Sequence, residues 1–340
     1  MAGARKANAA DLGVTVVIPA FRAKDTIVRA VESVATQRGI EPEILVIVDD
    51  QCEETRERAE RLGVPGCRVI MNERNLGGQE TRNRGLAEAS QPFITFLDGD
   101  DFMSGNLLRG QIDAAMENEA DLVLGPWRRL TSAGQLLPIQ VPQPASAEAV
   151  FCRWLVDRIW VPPSAVLWRT DYVRSIGGWN PKIRRNQDGE IALRAIASGA
   201  RLAFSTEGAG VYDQHDSEHR VTRSTTNRDS LLDVADSLLS IDGTIPKSVR
   251  TQAISRYLYD AAADAVCAGY DEFAKRALAR SRELGFRGKV GPMRRIGCRL
   301  LGFRNYHRLR GYFFNALRRL QLRLSGAKLR QRNQLSAAKR

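Results

Sequence analysis

The chain has 340 residues, of which 43% are hydrophobic, so it can bury a large core and is expected to be a globular protein of one or two domains. Its five cysteines include no Cys-x-x-Cys pair, which predicts neither disulfides nor a zinc site. Residues 1–13 lack an apolar signal segment and no later segment has the length of a membrane span, so we expect a cytoplasmic protein. The net charge of +12 comes from residues 285–340, which contain sixteen Lys or Arg and no Asp or Glu, so the rest of the chain carries about −4.

Short apolar runs alternate with amphipathic segments in the first part of the chain. The predicted strands cover residues 14–18, 44–48, 68–71, 93–97 and 122–124, and the predicted helices cover residues 26–37, 54–62, 79–89 and 107–118. This alternation predicts an α/β fold with a mostly parallel, Rossmann-like sheet flanked by helices. In such sheets, ligands bind at the carboxyl ends of the strands.

The second part of the chain has a less regular pattern. It predicts a hairpin at residues 127–139, helices at 147–157 and from about 188, a strand at 166–168, and three further helices at 230–240, 248–268 and 272–284. We therefore expect a first domain of residues 1–225, with halves at 12–126 and 127–225, a helical extension at 226–284 and a basic amphipathic tail at 285–340.

Acidic residues follow two of the predicted strands. Asp49-Asp50 ends the second, and Asp98-Gly99-Asp100-Asp101 ends the strand at 93–97, while the first strand ends at Pro19-Ala20-Phe21. Carboxylates this close repel one another unless a cation lies among them, and Mg²⁺ or Mn²⁺ binds such oxygens together with substrate phosphates. The alternative is a simple Asp-Gly turn. No glycine-rich phosphate loop follows the first strand, so a nucleotide would need a metal here.

Several segments together resemble family 2 glycosyltransferases of the GT-A fold. They are Val14 to Phe21, Glu43 to Asp50, Asn75-Leu76-Gly77-Gly78 with Thr81-Arg82-Asn83-Arg84-Gly85, Leu97 to Asp101, and Gly177-Gly178-Trp179 with Asn186-Gln187-Asp188. Any one of these matches is weak evidence, but all of them occur in the order found in the family, which makes the combined resemblance strong. One departure is Gln187, where the family often has an acid before the base.

The resemblance implies that a sugar is transferred, with inversion, from a nucleoside diphosphate donor, which in this family is often a UDP-sugar. The implied acceptor is a saccharide or a lipid-linked molecule, in the assembly of a cell-surface polysaccharide or glycolipid. It implies that Asp188 is the general base and that Mg²⁺ or Mn²⁺ is bound by Asp98, Asp100 and His215. The implied nucleotide-sugar contacts are Pro19, Ala20, Phe21, Asp50, Arg82, Asp98, Gly99 and Trp179.

Each assignment has a structural alternative. Asp188 lies where a helix starts and could be a plain N-cap. Asp50 could merely end a strand, Arg82 could be a solvated helix residue, His215 an exposed loop residue, and Trp179 part of the core.

The basic tail has an amphipathic pattern over residues 304–324. The apolar side comprises Leu309, Tyr312, Phe313, Leu317, Leu320 and Leu324, with arginines around the rest. This suits peripheral contact with an anionic membrane, and the alternative is a helix packed on the protein itself. Two other functions compete with sugar transfer. A nucleotidyltransferase would use a similar sheet, and a nucleic-acid-binding protein would use the tail, although an acidic crevice repels a polyanion.

Overall fold

The computed structural model describes residues 13–214, 228–286, 294 and 296–313. The strands are β1 (Val14–Ala20), β2 (Glu43–Val48), β3 (Cys67–Met71), β4 (Phe93–Phe96), β5 (Phe102–Ser104), β6 (Leu122–Leu124), β7 (Trp127–Thr131), β8 (Val166–Arg169), β9 (Leu202–Phe204) and β10 (Ala209–Gln214). The helices are α1 (Ile27–Ala35), α2 (Glu53–Glu60), α3 (Gly78–Glu88), α4 (Leu107–Glu117), α5 (Ala147–Cys152), α6 (Thr170–Ser175), α7 (Gln187–Ala197), α8 (Ser230–Ser240), α9 (Lys247–Cys267) and α10 (Asp271–Glu283), and residues 296–313 are also helical.

Seven strands form the central sheet in the order β3-β2-β1-β4-β8-β6-β9. β1, β2, β3 and β4 are mutually parallel, and so are β6 and β9, whereas β8 runs antiparallel to both of its neighbours. This arrangement confirms the predicted α/β class and the mostly parallel sheet flanked by helices. Because β1, β2 and β4 are adjacent and parallel, their carboxyl ends lie at one edge.

The core explains why these segments form a sheet covered on both faces. Residues 44–48 of β2 are all fully buried, as expected for a parallel strand between two layers of helices. The α1 helix buries Ile27, Ala30, Val31 and Val34, which recur at helical spacing on one side. On α3, a side chain at Gly85 would overlap Val17 of β1, so glycine is needed for this close approach.

β8 has a direction that matters for the site. Thr95 near the end of β4 pairs with Leu167 near the start of β8. Because the two strands are antiparallel, the segment that leads into β8 approaches the same sheet edge at which β1, β2 and β4 end.

A second sheet contains strands that the sequence did not predict. Its order is β5-β10-β7, with β10 antiparallel to β5 and parallel to β7. β5 of this sheet and β9 at the edge of the central sheet have three residues each, too few for a periodic pattern. β10 (Ala-Gly-Val-Tyr-Asp-Gln) mixes glycine with polar residues, which is also not a strand pattern.

The helix α6 was not predicted from the sequence either. The predicted hairpin is confirmed, since Leu130 pairs with Leu136, while the predicted helix at 147–157 is α5 followed by a π-helical turn at Arg153–Asp157.

The chain forms two compact units, Met1–Arg250 and Thr251–Arg340, with the division inside α9. The finer boundaries at residues 225 and 284 remain predictions. In the second unit, Tyr259 packs against Phe286 and Phe303, with ring centroids 4.7 and 5.2 Å apart. Arg304 and Arg308 pair with Asp271.

Part of the predicted tail helix lies within the described residues. Leu309, Tyr312 and Phe313 from its apolar side are exposed, whereas Leu317, Leu320 and Leu324 lie outside the described residues. In the part of the chain that the structure describes, no helix has both the length and the apolar character that a bilayer crossing requires.

Candidate active site

Three carboxylates meet directly after β4. Asp98, Asp100 and Asp101 each offer an oxygen, and these oxygens lie within 4.8 Å of one another. Asp101 is buried and accepts a hydrogen bond of 2.9 Å from the backbone N–H of Asp213 on β10. Burial raises the pKa of Asp101 well above its ordinary value, and the neighbouring carboxylates of Asp100 and Asp98 raise it further. We call Asp98 to Asp101 the acid turn.

The acid turn suits a hard divalent cation. Its donors are all carboxylate oxygens, the ligands that Mg²⁺ and Mn²⁺ prefer. The mutual repulsion that raises the pKa of Asp101 is what a cation among these groups would relieve. The residues present therefore fit the predicted metal, while His215 lies outside the described residues.

Arg82 of α3 links the acid turn to the loop that carries Trp179. Its buried guanidinium forms an ion pair with Asp98 and lies over the indole of Trp179, 4.7 Å from the ring centroid. Burial lowers the pKa of Arg82, but the carboxylates of Asp98, Asp188 and Asp100 more than offset this, so its pKa is raised overall. Arg82 is therefore a buried structural cation of the site, and the alternative of a solvated helix residue is wrong.

The loop that carries Trp179 is fixed to α3. The Asn83 side chain donates to the carbonyl of Trp179 at 2.8 Å and accepts from its backbone N–H at 2.8 Å. The Trp179 ring is buried, with its centroid 5.5 Å from that of Phe96 at the end of β4 in an edge-to-face arrangement. Trp179 thus belongs to the core and also forms a wall of the site beside Arg82.

Asp188 lies in the first turn of α7. The N-cap is Asn186, in the left-handed region with a φ of 57°, so the interpretation of Asp188 as the N-cap is wrong. The pairing partner of Arg194 is Glu190, at 2.8 Å, which leaves Asp188 outside that ion pair. Burial raises the pKa of Asp188 to about 6, with Arg82 opposing the rise and Asp98 adding to it.

Buried polar atoms without a hydrogen-bond partner gather around Arg82. In the described residues, they include Nε and Nη1 of Arg82, Nε1 of Trp179, Oε1 of Gln187 and Oδ1 of Asp188. Gly78 lies between two of these side chains, because an added Cβ there would be 2.8 Å from Arg82 Nη1 and 3.8 Å from Gln187 Nε2. Buried polar groups are nearly always satisfied, so this concentration indicates a pocket built for a polar ligand.

The ends of β1 and β2 form the other side of the crevice. The Asp50 carboxylate accepts hydrogen bonds from the backbone N–H of Arg22 at 2.6 Å and of Cys52 at 3.3 Å. An added Cβ at Gly99 would be 3.2 Å from the Pro19 carbonyl oxygen, so a larger residue at position 99 would crowd the end of β1. Ala20 is buried and Phe21 is exposed.

The structure thus brings Pro19 and Ala20 next to Gly99, and it gathers Asp98, Asp100, Trp179 and Asp188 around Arg82. Asp50 instead contacts the segment after β1 through the backbone of Arg22. Their individual roles remain predictions.

Two residues of the site, Arg29 and Asp213, were not predicted from the sequence. Arg29 of α1 donates at 2.7 Å both to the carbonyl of Asp100 and to the carboxylate of Asp213. No local pattern distinguishes Arg29 from other helix arginines, and Asp213 lies on the unpredicted strand β10. Asp49 has a structural role, since it accepts from Leu76 and Gly77 and holds the loop before α3.

Comparison with known proteins identifies a family that part of the chain resembles. Residues 15–137 match the model of Glycosyl transferase family 2. The succinoglycan biosynthesis protein ExoO of Rhizobium meliloti is 36% identical over 102 residues, which are 30% of this chain and 29% of that protein. The UDP-Glc:alpha-D-GlcNAc-diphosphoundecaprenol beta-1,3-glucosyltransferase WfgD of Escherichia coli is 29% identical over 133 residues, 39% of this chain and 53% of that protein. The aligned regions thus span about a third to a half of these two relatives.

The fold has a solved counterpart. The crystal structure of S. aureus TarS 1-349 in complex with UDP-GlcNAc has a TM-score of 0.66 to this chain at 15% identity, covering 86% of this chain and 89% of that one. This shared architecture confirms the predicted GT-A fold, and residues 15–137 of the chain resemble glycosyltransferase family 2.

Proposed function

We propose that the protein transfers a sugar, with inversion, from a UDP-sugar to an acceptor hydroxyl, and that Asp188 is the general base. The observation that carries this proposal is the buried, unpartnered Oδ1 of Asp188 beside Arg82 and the acid turn. An inverting transfer needs a base on the face of the sugar opposite the leaving group. A carboxylate with a pKa of about 6 is ionised at neutral pH and is a stronger base than an ordinary Asp.

A divalent cation would be held by Asp98 and Asp100, with Asp101 behind them. When bound, it would stabilise the negative charge that develops on the diphosphate leaving group. Arg82 would assist by neutralising Asp98 and by fixing the position of Trp179, which contacts its guanidinium. Arg29 would hold the acid turn in place through its bond to the carbonyl of Asp100.

The choice of UDP is supported by two matches. One is a relative whose name includes UDP-Glc, and the other is a solved structure with bound UDP-GlcNAc. The nucleobase would lie against Pro19, Ala20 and Phe21, near Asp50. The names of the relatives also support a role in the assembly of a polysaccharide or lipid-linked saccharide.

We further propose peripheral contact with an anionic membrane through residues 304–324. The exposed Leu309, Tyr312 and Phe313 would enter the headgroup region, and the surrounding arginines would attract anionic lipids. Such contact would place the protein at the inner face of the membrane, beside a lipid-linked acceptor.

The test is a panel of UDP-sugars incubated with Mn²⁺ or Mg²⁺, with release of UDP as the measured product. We expect metal-dependent UDP release from at least one donor and its suppression by a chelator. Release of pyrophosphate instead would identify a nucleotidyltransferase. Salt-sensitive binding of DNA or RNA without any turnover of nucleotide sugars would favour a nucleic-acid-binding protein.

A further inference from the structure

A cavity of about 530 Å³ lies between the β7 hairpin and the segment after α5. Its walls include Trp127, Trp154 and Trp160 together with Arg129, Arg153 and Arg158. A cavity of this size can enclose a small ligand. None of the residues assigned above to nucleotide, metal or base lines it, so its occupant is not yet accounted for.

Two indoles form an aromatic wall in this cavity. The ring centroids of Trp127 and Trp160 are 4.6 Å apart, and Trp160 also contacts the edge of Tyr212 at 5.6 Å. The Arg129 guanidinium lies 5.4 Å from the centroid of Trp127 and 5.8 Å from that of Trp160. Flat aromatic faces pack well against the apolar C–H face of a sugar ring, while the ring hydroxyls remain free to bond elsewhere.

Two of the three arginines on the cavity wall have no counterion within the described part of the chain. Among the described residues, the guanidinium groups of Arg129 and Arg153 have no hydrogen bond and no ion pair, unlike most arginines of the first unit. A guanidinium binds phosphate oxygens in a bidentate geometry. Two such groups on one cavity wall favour an anionic ligand such as a phosphate.

The rim of the cavity is apolar and exposed. Val141 and Ile159 line the cavity with 38% and 58% of their surface exposed, and Leu136 and Ile139, which are sequence neighbours of lining residues, are exposed as well. Single exposed apolar residues are ordinary, but two on the cavity wall and two beside it in sequence favour a binding surface. An alkyl chain that leaves the cavity would lie against them.

The cavity is connected to the acid turn by one strand. Tyr212 of β10 touches Trp160, and the backbone N–H of the next residue, Asp213, donates to Asp101. A ligand bound against Trp160 is therefore placed next to the strand that supports the proposed metal site.

We propose that this cavity binds the acceptor substrate and that the acceptor is a lipid-linked glycosyl phosphate or diphosphate. Its sugar ring packs on Trp160, its phosphate is bound by Arg129 and Arg153, and its lipid chain leaves over Val141 and Ile159. This inference rests on the proposed function and adds to it the acceptor's phosphate group, the cavity that binds the acceptor and the residues that select it.

The test is calorimetric titration of N-acetylglucosaminyl diphosphate carrying a decyl chain, in the absence of donor. We expect saturable binding to the parent protein. Binding should be weaker for N-acetylglucosamine 1-phosphate, which lacks the decyl chain and one phosphate, and for decyl phosphate, which lacks the sugar and one phosphate. Arg129→Gln, Arg153→Gln and Trp160→Ala should each weaken binding of the full probe about tenfold or more, as expected when one charged or aromatic contact is lost. Arg61→Gln, which removes an equal charge from the exposed end of α2, is the control and should leave binding unchanged.

The outcomes separate this inference from the proposed function. If the parent protein fails to release UDP from any UDP-sugar, the proposed function fails. If UDP release and UDP binding are intact but the probe does not bind, the cavity is not the acceptor site. The same follows if the three cavity variants bind the probe as tightly as the parent protein and the Arg61→Gln control. If N-acetylglucosamine 1-phosphate binds as tightly as the decyl probe, the lipid part of the inference is wrong.

Discussion

Asp188→Asn should separate proton transfer from nucleotide binding. Asn has the same shape as Asp but cannot accept the acceptor's proton, and Oδ1 of Asp188 has no hydrogen bond whose loss would disturb the fold. General-base catalysis contributes about 10²- to 10⁴-fold. The variant should therefore lose about 3–5 kcal/mol of transition-state stabilisation and keep its affinity for UDP.

The pH dependence gives an independent test of the same role. Because the base must be deprotonated, kcat/KM should rise tenfold per pH unit below the pKa of Asp188 and level off above it. That pKa is about 6 in the metal-free protein, and a bound cation lowers it, so the acidic limb should lie at or below about pH 6. Arg82 opposes protonation of Asp188, so Arg82→Met should move the limb upward by about one pH unit or more.

The assay is UDP release at saturating metal over pH 5–9, roughly the range in which proteins remain folded, with UDP affinity measured separately. Asp171→Asn is the control, since Asp171 is 92% exposed on α6 and should behave as the parent protein. An Asp188→Asn enzyme that retains more than about a tenth of the parental rate, well above the loss expected of a missing base, would refute the assignment.

Three further predictions concern the metal, the fold and stability. Asp100→Ala should abolish metal-stimulated UDP release without changing the circular dichroism spectrum, and activity restored by more Mn²⁺ would show that Asp100 is not essential. Gly85→Ala should lower the free energy of unfolding by about 1–3 kcal/mol in urea denaturation, because the new methyl overlaps Val17; unchanged stability would contradict this packing. Burial, with Arg294 and Arg310, lowers the pKa of His307 from 6.5 to about 4, so the unfolded chain binds a proton more readily than the folded one. Stability should therefore fall by about 3 kcal/mol as the pH drops through this interval, and a His307→Gln protein should lack this loss.

The sheet strands and the acid turn of residues 12–126 could be predicted from the sequence because their signals are local. β1, β2 and β4 are apolar runs with polar ends, and the acid turn follows one of them directly. Once a parallel sheet is inferred, the topology itself brings these ends together.

The rest depends on contacts between distant residues. Arg29 reaches the acid turn through the packing of α1, and Asp213 reaches Asp101 through a strand whose polar sequence gives no strand pattern. The tryptophan and arginine side chains of the cavity come from β7 and from the segment after α5, and only the folded hairpin places them together. Such placement is set by tertiary structure, which a single sequence does not encode in any short window.

The reversed direction of β8 has a consequence for how members of this fold could diversify. Since β8 begins at the edge where β1, β2 and β4 end, the connection before it can lengthen, shorten or change composition while these three strands keep their register. Under the proposed function, acceptor preference can then change through this one loop region while the strands that carry the acid turn stay the same.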